Sequence, residues 1–379
     1  MPRPLPRIGA VAALASAFLV VTALAATSAS ARPFDARTQA RLDATLRSTL
    51  QRSWSPGVIA GVWMDGRAWT QTAGLTSRTG GGRPVRTLYT RIASITKTFT
   101  GTLILQLVDE GRLSLDDTID RWFPTFPNAS SITVRQLGTM SSGIASYTAD
   151  SAVGSQYLGD PTAPWTPTQL IDAAATLPPL FAPGEGFDYS NTNFVMLGQI
   201  VEQVTGQPFA TVLRQKILRP LRMTHTSFPA TTQIPSPHWT GYTIQGASTA
   251  PLDATGWNPT FAGAAGQMIS TLHDLRIWTR ALGTGSLLEP ATQKLRLTPN
   301  SFSSAGGRSY AFAVGVDHGW ISHSGELPGF STQVAYLPSA KASIVIMANS
   351  DVASAEGTTA PQLLSALARV LTPAHVPTG

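Results

Sequence analysis

The chain has 379 residues, of which 42% are hydrophobic and only 13% charged, so it can bury a large core. It contains no cysteine, which excludes disulfides, lipoprotein anchoring, thiolate catalysis and cysteine metal sites. The formal charge is +6 and the basic residues are scattered, so nucleic acid is not expected as a partner. Its Gly and Pro residues follow no period, which excludes collagen-like and repeat architectures.

The first 31 residues have the pattern of an export signal. Arg3 and Arg7 give a positive start, an apolar stretch covers 8–26, and the run Ala-Ser-Ala at 29–31 offers a cleavage site. The alternative is an uncleaved membrane anchor, but the Ala and Ser content favours removal. The sequence therefore predicts a secreted protein that is cleaved after Ala31 and keeps no stable membrane anchor.

The first third of the mature chain alternates between helical and β patterns. The predicted elements are a helix at 34–52, a hairpin of strands at 57–64 and 68–75 turning at Asp65-Gly66, a loop at 77–86, and a helix at 94–110. This last helix carries Ile95, Phe99 and Leu103 in one stripe, and Gly111 follows it as a stop residue. It is predicted to be buried, with Ser94 at its N-terminus.

The rest of the chain changes from helical to β character. Short helices and Pro-rich loops fill the middle, and the clearest predicted elements are helices at 192–205, 208–217 and 358–371 and strands at 310–316, 319–323, 332–337 and 343–348. Strands near both ends with helices between them predict an α+β fold. We expect one domain at 32–372, in which an antiparallel sheet with flanking helices carries an inserted, mostly helical lobe at about 115–300. Residues 373–379 are predicted to be a tail.

Ser94-Ile95-Thr96-Lys97 forms an S-x-x-K pattern. On a helix, this spacing places the serine hydroxyl and the lysine amine on one face, one turn apart. A serine needs a neighbouring base to become a nucleophile, and a partly buried lysine with a lowered pKa can be that base. Lys97 is the only one of the chain's four lysines with a serine three residues before it, so the pair is a candidate catalytic centre.

Tyr189-Ser190-Asn191 is the only Y-x-N pattern in the sequence and precedes a predicted helix. A tyrosine beside a cation can relay protons, and Asn191 can bind a substrate amide. In isolation, a helix cap with a half-buried aromatic neighbour is the more common explanation of such a pattern. Tyr189 is therefore a candidate catalytic residue, and Asn191 a candidate binding residue, only in combination with the serine and lysine.

His323-Ser324-Gly325 stands at the end of a predicted strand and is followed by Glu326. A histidine, a small hydroxyl residue and a glycine at a strand edge can line a cleft closely, with a backbone N–H beyond them available to an oxyanion. A single histidine is more often structural than functional. These four residues are candidate substrate-binding residues.

Together, these three motifs resemble the serine β-lactamase and penicillin-binding protein superfamily, which carries S-x-x-K with two further motifs. The variant here is similar to the branch of secreted D-alanyl-D-alanine carboxypeptidases, class C β-lactamases and related esterases. The resemblance implies a β-lactamase/transpeptidase-like fold, with Ser94 as nucleophile and Lys97 and Tyr189 sharing proton transfer. It also implies that Asn191 and His323 position the substrate, and that backbone N–H groups of Ser94 and Glu326 form an oxyanion hole. Which residue is the base stays open.

One departure from the family pattern affects the expected substrate. The segment 314–319 lacks the arginine that would bind a substrate carboxylate in the close carboxypeptidases, and His318 is a candidate replacement. The resemblance favours a D-alanyl-D-alanine carboxypeptidase that acts on cell-wall peptides. The alternatives are a class C-like β-lactamase, an esterase of this fold, and a penicillin-binding sensor that is acylated without turnover. A peptide or other small-molecule substrate and a monomeric state are expected.

Two rival readings of the sequence are weaker. Residues 246–250 give only a degenerate G-x-S-x-G elbow, because the second glycine and a convincing preceding strand are missing. The six histidines show no paired ligand spacing, so neither a metal site nor another cofactor is expected.

Overall fold

The computed structural model describes Met1 and residues 31–247, 250–304 and 306–378, so the predicted signal peptide lies almost wholly outside the described residues. The strands are β1 (Arg32–Pro33), β2 (Gly57–Met64), β3 (Arg67–Gly74), β4 (Tyr89–Arg91), β5 (Tyr242–Thr243), β6 (Leu252–Asp253), β7 (Ile269–Thr271), β8 (Arg308–Tyr310), β9 (Gly315–Asp317), β10 (Trp320–Leu327), β11 (Phe330–Leu337) and β12 (Ala342–Ala348). The helices are α1 (Ala36–Arg52), α2 (Thr96–Asp109), α3 (Val134–Gly138), α4 (Ser151–Gly159), α5 (Pro167–Ala175), α6 (Asn191–Thr205), α7 (Phe209–Leu213), α8 (Leu272–Thr284), α9 (Pro290–Arg296) and α10 (Thr359–Leu371).

Both ends of the chain contribute to one eight-stranded sheet in the order β1-β3-β2-β12-β11-β10-β9-β8. All neighbours are antiparallel except β1 and β3. The early hairpin of β2 and β3 joins the late strands through β12, where Ala60 lies opposite Ile346. These central strands are buried on both faces, which explains their nearly continuous apolar sequence. The predicted α+β class is confirmed.

Two apolar layers cover the sheet. On one face, α1 and α10 contribute Leu42, Leu46 and Leu363 to a core with the sheet. On the other face, the larger core joins the sheet to α2, α6 and α8, where the rings of Phe99 and Trp278 stack at 3.7 Å. Helix α2 is buried on nearly every side, so its position is fixed by packing on both the sheet and the helices.

The segment predicted as a single strand at 310–316 is two short strands, β8 and β9, separated by a tight turn. The Ala311 N–H donates to the Val314 carbonyl at 2.8 Å, and Ala313 has a φ of 61°. Phe312 is buried in the helical core, and its N–H donates to the Arg296 carbonyl at 3.0 Å. Burial of this one ring takes the chain out of the sheet, which strand periodicity alone does not reveal.

Of the described helices, none is long and apolar enough to cross a membrane.

Candidate active site

Ser94 lies at the junction between the sheet and the helical core. It belongs to a 3-10 turn, Ala93–Ile95, that leads directly into α2, so the α-helix begins two residues later than predicted. Ala93 has a φ of 48°, a left-handed conformation that costs free energy for a residue with a Cβ. In the described part of the chain, the Ser94 N–H has no hydrogen-bond acceptor, and the half-buried residue lines a large cleft. The turn thus presents both a hydroxyl and a free N–H to the cleft.

Lys97 is fully buried one turn after Ser94. Its Nζ lies 2.9 Å from Ser94 Oγ, 2.7 Å from Asn191 Oδ1 and 2.9 Å from the Ala265 carbonyl oxygen. Burial holds the pKa of Lys97 well below its usual value, because removal from water disfavours the ammonium form. The structure therefore joins Ser94, Lys97 and Asn191, from two of the predicted motifs, in one hydrogen-bonded group.

The partners of Lys97 suit an uncharged amine. A neutral amine has two N–H donors and one lone pair, and the Asn191 and Ala265 oxygens can only accept. If both N–H groups are used there, the lone pair is left facing Ser94 Oγ. This arrangement can remove the serine proton, and Asn191 fixes the direction of the lone pair.

Tyr189 covers the amine from the cleft side. Its ring centroid lies 4.8 Å from Lys97 Nζ, and its hydroxyl interacts with Ser94. Burial of the hydroxyl raises the pKa of Tyr189 above its usual value, although 37% of the residue surface is exposed. The nearby charge of Glu326 acts in the same direction, while the Ser94 contact opposes it. A protonated Tyr189 can therefore donate to a leaving group, but it is a poor resting-state base.

His323 lies in the middle of β10, not at a strand end as predicted. It is 6% exposed, and its Nε2 is 3.2 Å from the Tyr310 hydroxyl, while its Nδ1 is 2.5 Å from the Ser324 carbonyl oxygen. Burial lowers the pKa of His323 to about 3, and the positive charge that Lys97 carries when protonated acts in the same direction. The imidazole is thus neutral near pH 7, with Nδ1–H donating to the carbonyl and Nε2 accepting from Tyr310.

Gly325 allows β10 to run beside the nucleophile turn. A Cβ at this position would lie 2.2 Å from the Ile92 carbonyl oxygen and 3.2 Å from Ala93 Cβ. No larger residue fits without moving the strand away from the turn. Gly325 therefore sets the distance between β10 and Ser94, and the half-buried Ser324 beside it also lines the cleft.

Glu326 contributes its backbone to the cleft. Leu327 and Phe330 flank the two-residue turn of the hairpin and form a hydrogen-bonded pair. The next pair, Glu326 with Ser331, is therefore of the non-hydrogen-bonded kind. In an antiparallel hairpin, a non-hydrogen-bonded pair directs its N–H groups away from the partner strand. The Glu326 N–H consequently points to the open edge of β10, where Ser94 lies. Its side chain is exposed and accepts a hydrogen bond from the Thr358 hydroxyl.

The structure gives His318 a different role from the predicted one. Its Nδ1 lies 2.6 Å from Asp317 Oδ1, and its ring is not part of the cleft wall. Arg308 instead lines the cleft, opposite Asp317 in the pairing of β8 with β9. Arg308 lies on β8, before the segment 314–319 in which an arginine was expected, and the turn at Phe312 separates the two. The signal was the spacing of two between Arg308 and Tyr310, which places both on one face of a strand.

The cleft has a volume of about 750 Å³ and an aromatic wall that sequence analysis did not identify. On the helical side, Tyr157 stacks on Phe261 at 3.8 Å, and Tyr147 meets Phe261 edge-on at 5.4 Å. The Tyr189 ring, just before α6, lies 6.1 Å from the ring of Tyr310 on β8 of the sheet. A cleft of this size accommodates a short peptide, and its aromatic faces favour apolar groups.

Ser248 of the degenerate elbow lies outside the described residues. Within the described ranges, no group of three or more His, Asp or Glu side chains is arranged to hold a metal ion.

A serine hydroxyl in contact with a buried lysine amine, at the edge of a sheet, defines a serine hydrolase of the β-lactamase and penicillin-binding protein class. The chain belongs to the β-lactamase family, whose model matches residues 42–368. The predicted family is thereby confirmed.

Three proteins illustrate what the chain is similar to in sequence and in structure. Protein flp of Staphylococcus aureus (strain COL) is 34% identical over 68% of this chain, which spans 52% of that protein's length. A D-stereospecific amidohydrolase from Streptomyces is 32% identical, with a TM-score of 0.77 over 90% of this chain and 99% of its own. The D-amino acid amidase of Ochrobactrum anthropi SV3 is 25% identical, with a TM-score of 0.78 over 88% of this chain and 97% of its own.

Proposed function

We propose that the protein is an amidohydrolase that cleaves amide bonds of D-amino acid compounds through an acyl-enzyme on Ser94. The observation that carries this proposal is the contact of 2.9 Å between Ser94 Oγ and the buried Lys97 amine. The substrate class is supported by the 32% identity to a D-stereospecific amidohydrolase, which extends over nearly all of that protein. Amide and peptide substrates both fit the volume of the cleft.

In the proposed acylation step, Lys97 acts as the base. It takes the proton of Ser94 Oγ, and the alkoxide attacks the carbonyl carbon of the substrate. The Ser94 and Glu326 N–H groups stabilise the oxyanion, an effect worth about 3 to 4 kcal/mol per donor in comparable enzymes. Tyr189 then passes a proton to the departing amine and recovers one from Lys97. The pKa of Lys97 is lowered and that of Tyr189 raised, which supports this division of roles.

Deacylation reverses the proton movements. A water molecule occupies the position of the leaving amine, loses its proton to the Tyr189 and Lys97 pair, and attacks the acyl carbonyl. Ser94 Oγ leaves and is reprotonated. Asn191 and the neutral His323 position the substrate during both steps. His323 also keeps Tyr310 in place through its hydrogen bond to the Tyr310 hydroxyl.

A D-alanyl-D-alanine carboxypeptidase is the second candidate, and Arg308 is the observation that favours it. Such a substrate carries a carboxylate on its leaving group, which a cation must recognise. His323 is neutral and His318 is turned to Asp317, so neither provides that cation. Arg308 lines the same cleft and can provide it.

Hydrolysis of five substrates tests these proposals: D-phenylalanine amide, L-phenylalanine amide, a peptide ending in D-alanyl-D-alanine, nitrocefin and a short nitrophenyl ester. We expect the D-amide to be cleaved at least tenfold faster than the L-amide, and Ser94→Ala to abolish both reactions. Fastest cleavage of the D-alanyl-D-alanine peptide would favour the carboxypeptidase. Nitrocefin or ester turnover without amide cleavage would favour the β-lactamase or esterase alternatives. Labelling by penicillin without any turnover would favour the sensor.

We also propose that the chain is exported as a monomer after cleavage at Ala31. Arg32 is the first residue of β1, and its N–H donates to the Gly66 carbonyl at 2.9 Å. A new amino terminus at Arg32 keeps this donor. N-terminal sequencing of the protein from the culture medium, combined with its mass in solution, tests both statements. A start upstream of Arg32 or a stable dimer would contradict them.

A further inference from the structure

Asp351 lies at the end of the cleft next to the tip of the β10–β11 hairpin. Its Oδ1 accepts from the Gly329 N–H at 3.1 Å, which fixes the carboxylate to the turn of the hairpin. Its Oδ2 accepts from the Thr243 hydroxyl and from Gln245 Nε2, both at 3.0 Å. Asp351, Gln245 and Tyr157 all line the cleft. The carboxylate is thus held rigidly by neutral donors at a wall that a substrate can reach.

In the part of the chain that the structure describes, the Asp351 carboxylate accepts hydrogen bonds from neutral donors only. Among the residues that the structure describes, no ion pair includes Asp351. Burial raises the pKa of Asp351 above its usual value, while its three hydrogen bonds oppose this change. A partly buried carboxylate without a counterion gains free energy when a cation binds beside it.

The surroundings of Asp351 are suited to an ammonium group. Tyr157 lines the same cleft as Asp351; burial raises the pKa of its hydroxyl, the charge of Arg91 opposes this change, and the charge of Asp351 adds to it. A neutral phenol oxygen and the Gln245 amide oxygen accept hydrogen bonds, and an ammonium group donates three. The exposed Glu326 on the same hairpin also lines the cleft and adds a second negative charge to it.

The position of Asp351 defines which part of a substrate reaches it. Gly329, its backbone partner, lies in the hairpin turn and follows the oxyanion donor Glu326 by three residues, so the chain between them spans at most about 10 Å. The Arg308 and Tyr310 side of the cleft lies on the other side of His323 in the sheet. Asp351 therefore lies on the acyl side, at the distance of two to three extended residues from the scissile carbonyl.

We propose that Asp351, with Gln245 and Tyr157, forms an acyl-side subsite for a substrate ammonium group. The proposal rests on the amidohydrolase function and narrows its substrates to short peptides or acyl amides that carry an amine two to three residues from the scissile bond. The amine is either a free N-terminus or a lysine-like side chain. Both present the same ammonium chemistry to the carboxylate.

Matched substrates test this subsite. Gly-Gly-D-Ala anilide presents an N-terminal amine, N-acetyl-Lys-D-Ala anilide presents a side-chain amine, and the fully acetylated form of each is its neutral control. We expect wild-type kcat/KM to be at least tenfold higher for the amine form of one pair or both, and the pair that responds identifies the source of the amine. In Asp351→Asn, the ratio should fall to within twofold. Asp172→Asn, an exposed carboxylate on α5 outside the cleft, should leave it unchanged.

Equal rates for both forms in the wild type, or a preference that survives in Asp351→Asn, would overturn the subsite. If Asp351→Asn does not fold, sodium chloride at about 1 M in the wild-type assay replaces it and should reduce the preference, because ion attraction is screened. Nitrophenyl esters of 8-aminooctanoate and its N-acetyl form separate the two proposals. Ester cleavage with an amine preference, in the absence of any anilide cleavage, would reject the amidohydrolase and retain the subsite.

Discussion

Burial of His323 makes the stability of the protein depend on pH. The pKa of His323 in the folded protein, about 3, lies below its ordinary value of 6.5. Between these two pH values the imidazole is protonated in the unfolded chain but not in the folded chain. The stabilising contribution is complete above about pH 6.5 and is lost as the pH falls toward 3. For a single group with these two pKa values, the loss between about pH 7 and pH 4.5 is about 2.5 kcal/mol.

The perturbation that isolates this effect is His323→Gln, whose amide oxygen can still accept from the Tyr310 hydroxyl. Urea unfolding of both proteins at about pH 7 and pH 4.5 gives the change in the free energy of unfolding. We expect the wild type to lose about 2.5 kcal/mol more than the variant over this interval, since Lys97 and the other groups contribute equally to both. His225→Gln, in a partly exposed loop, is the matched control and should follow the wild type.

Parallel pH profiles of the wild type and His323→Gln would refute the reasoning. They would mean that His323 titrates near its ordinary pKa inside the cleft. The imidazole would then be a cation at mildly acidic pH, able to bind a substrate carboxylate. A carboxypeptidase would then not need Arg308 to bind the carboxylate of its substrate.

Three further results are expected. Lys97→Arg should lower the acylation rate by about 10²-fold to 10⁴-fold, because a guanidinium keeps its proton. The control Lys294→Arg, on the exposed face of α9, should leave this rate unchanged. Labelling of Lys97→Arg by penicillin at the wild-type rate would exclude Lys97 as the base. Gly325→Ala should lower kcat/KM about 10²-fold with the fold retained, because the added Cβ displaces β10 from the nucleophile turn. Gly154→Ala, where a Cβ meets open space, is the control. An unchanged kcat/KM in Gly325→Ala would contradict the close approach of β10 to Ser94. Chelators should leave activity unchanged, and a loss that added zinc restores would reject a metal-free mechanism.

The parts of the site that are local in sequence could be predicted. Ser94 and Lys97 are one helical turn apart, so their contact follows from the geometry of α2 once the segment is helical. The α+β class followed from the position of the strand patterns at both ends of the chain. The family resemblance then connected motifs that were individually weak.

The parts of the site that depend on distant packing could not be predicted. Asn191 bonds to Lys97 from 94 residues away, and the Ala265 carbonyl does so from 168 residues away. The choice of base needs the burial of both candidates, which only the folded chain shows. Arg308 escaped notice because burial of Phe312 interrupts the strand that carries it, and Asp351 because it lies in a loop after the last strand.

The position of β2 between β3 and β12 has a consequence for the order in which the protein becomes active. The pairing of Ala60 with Ile346 joins segments that are separated by about three quarters of the chain length in the order of synthesis. Such long-range contacts are slow to form and cannot begin until the late segment has been synthesised. The Ser94 turn also lacks β10, and hence Gly325 and the Glu326 N–H, until that time. The unfinished chain therefore carries the proposed nucleophile without its proposed oxyanion hole, and hydrolytic activity is expected only from a complete molecule.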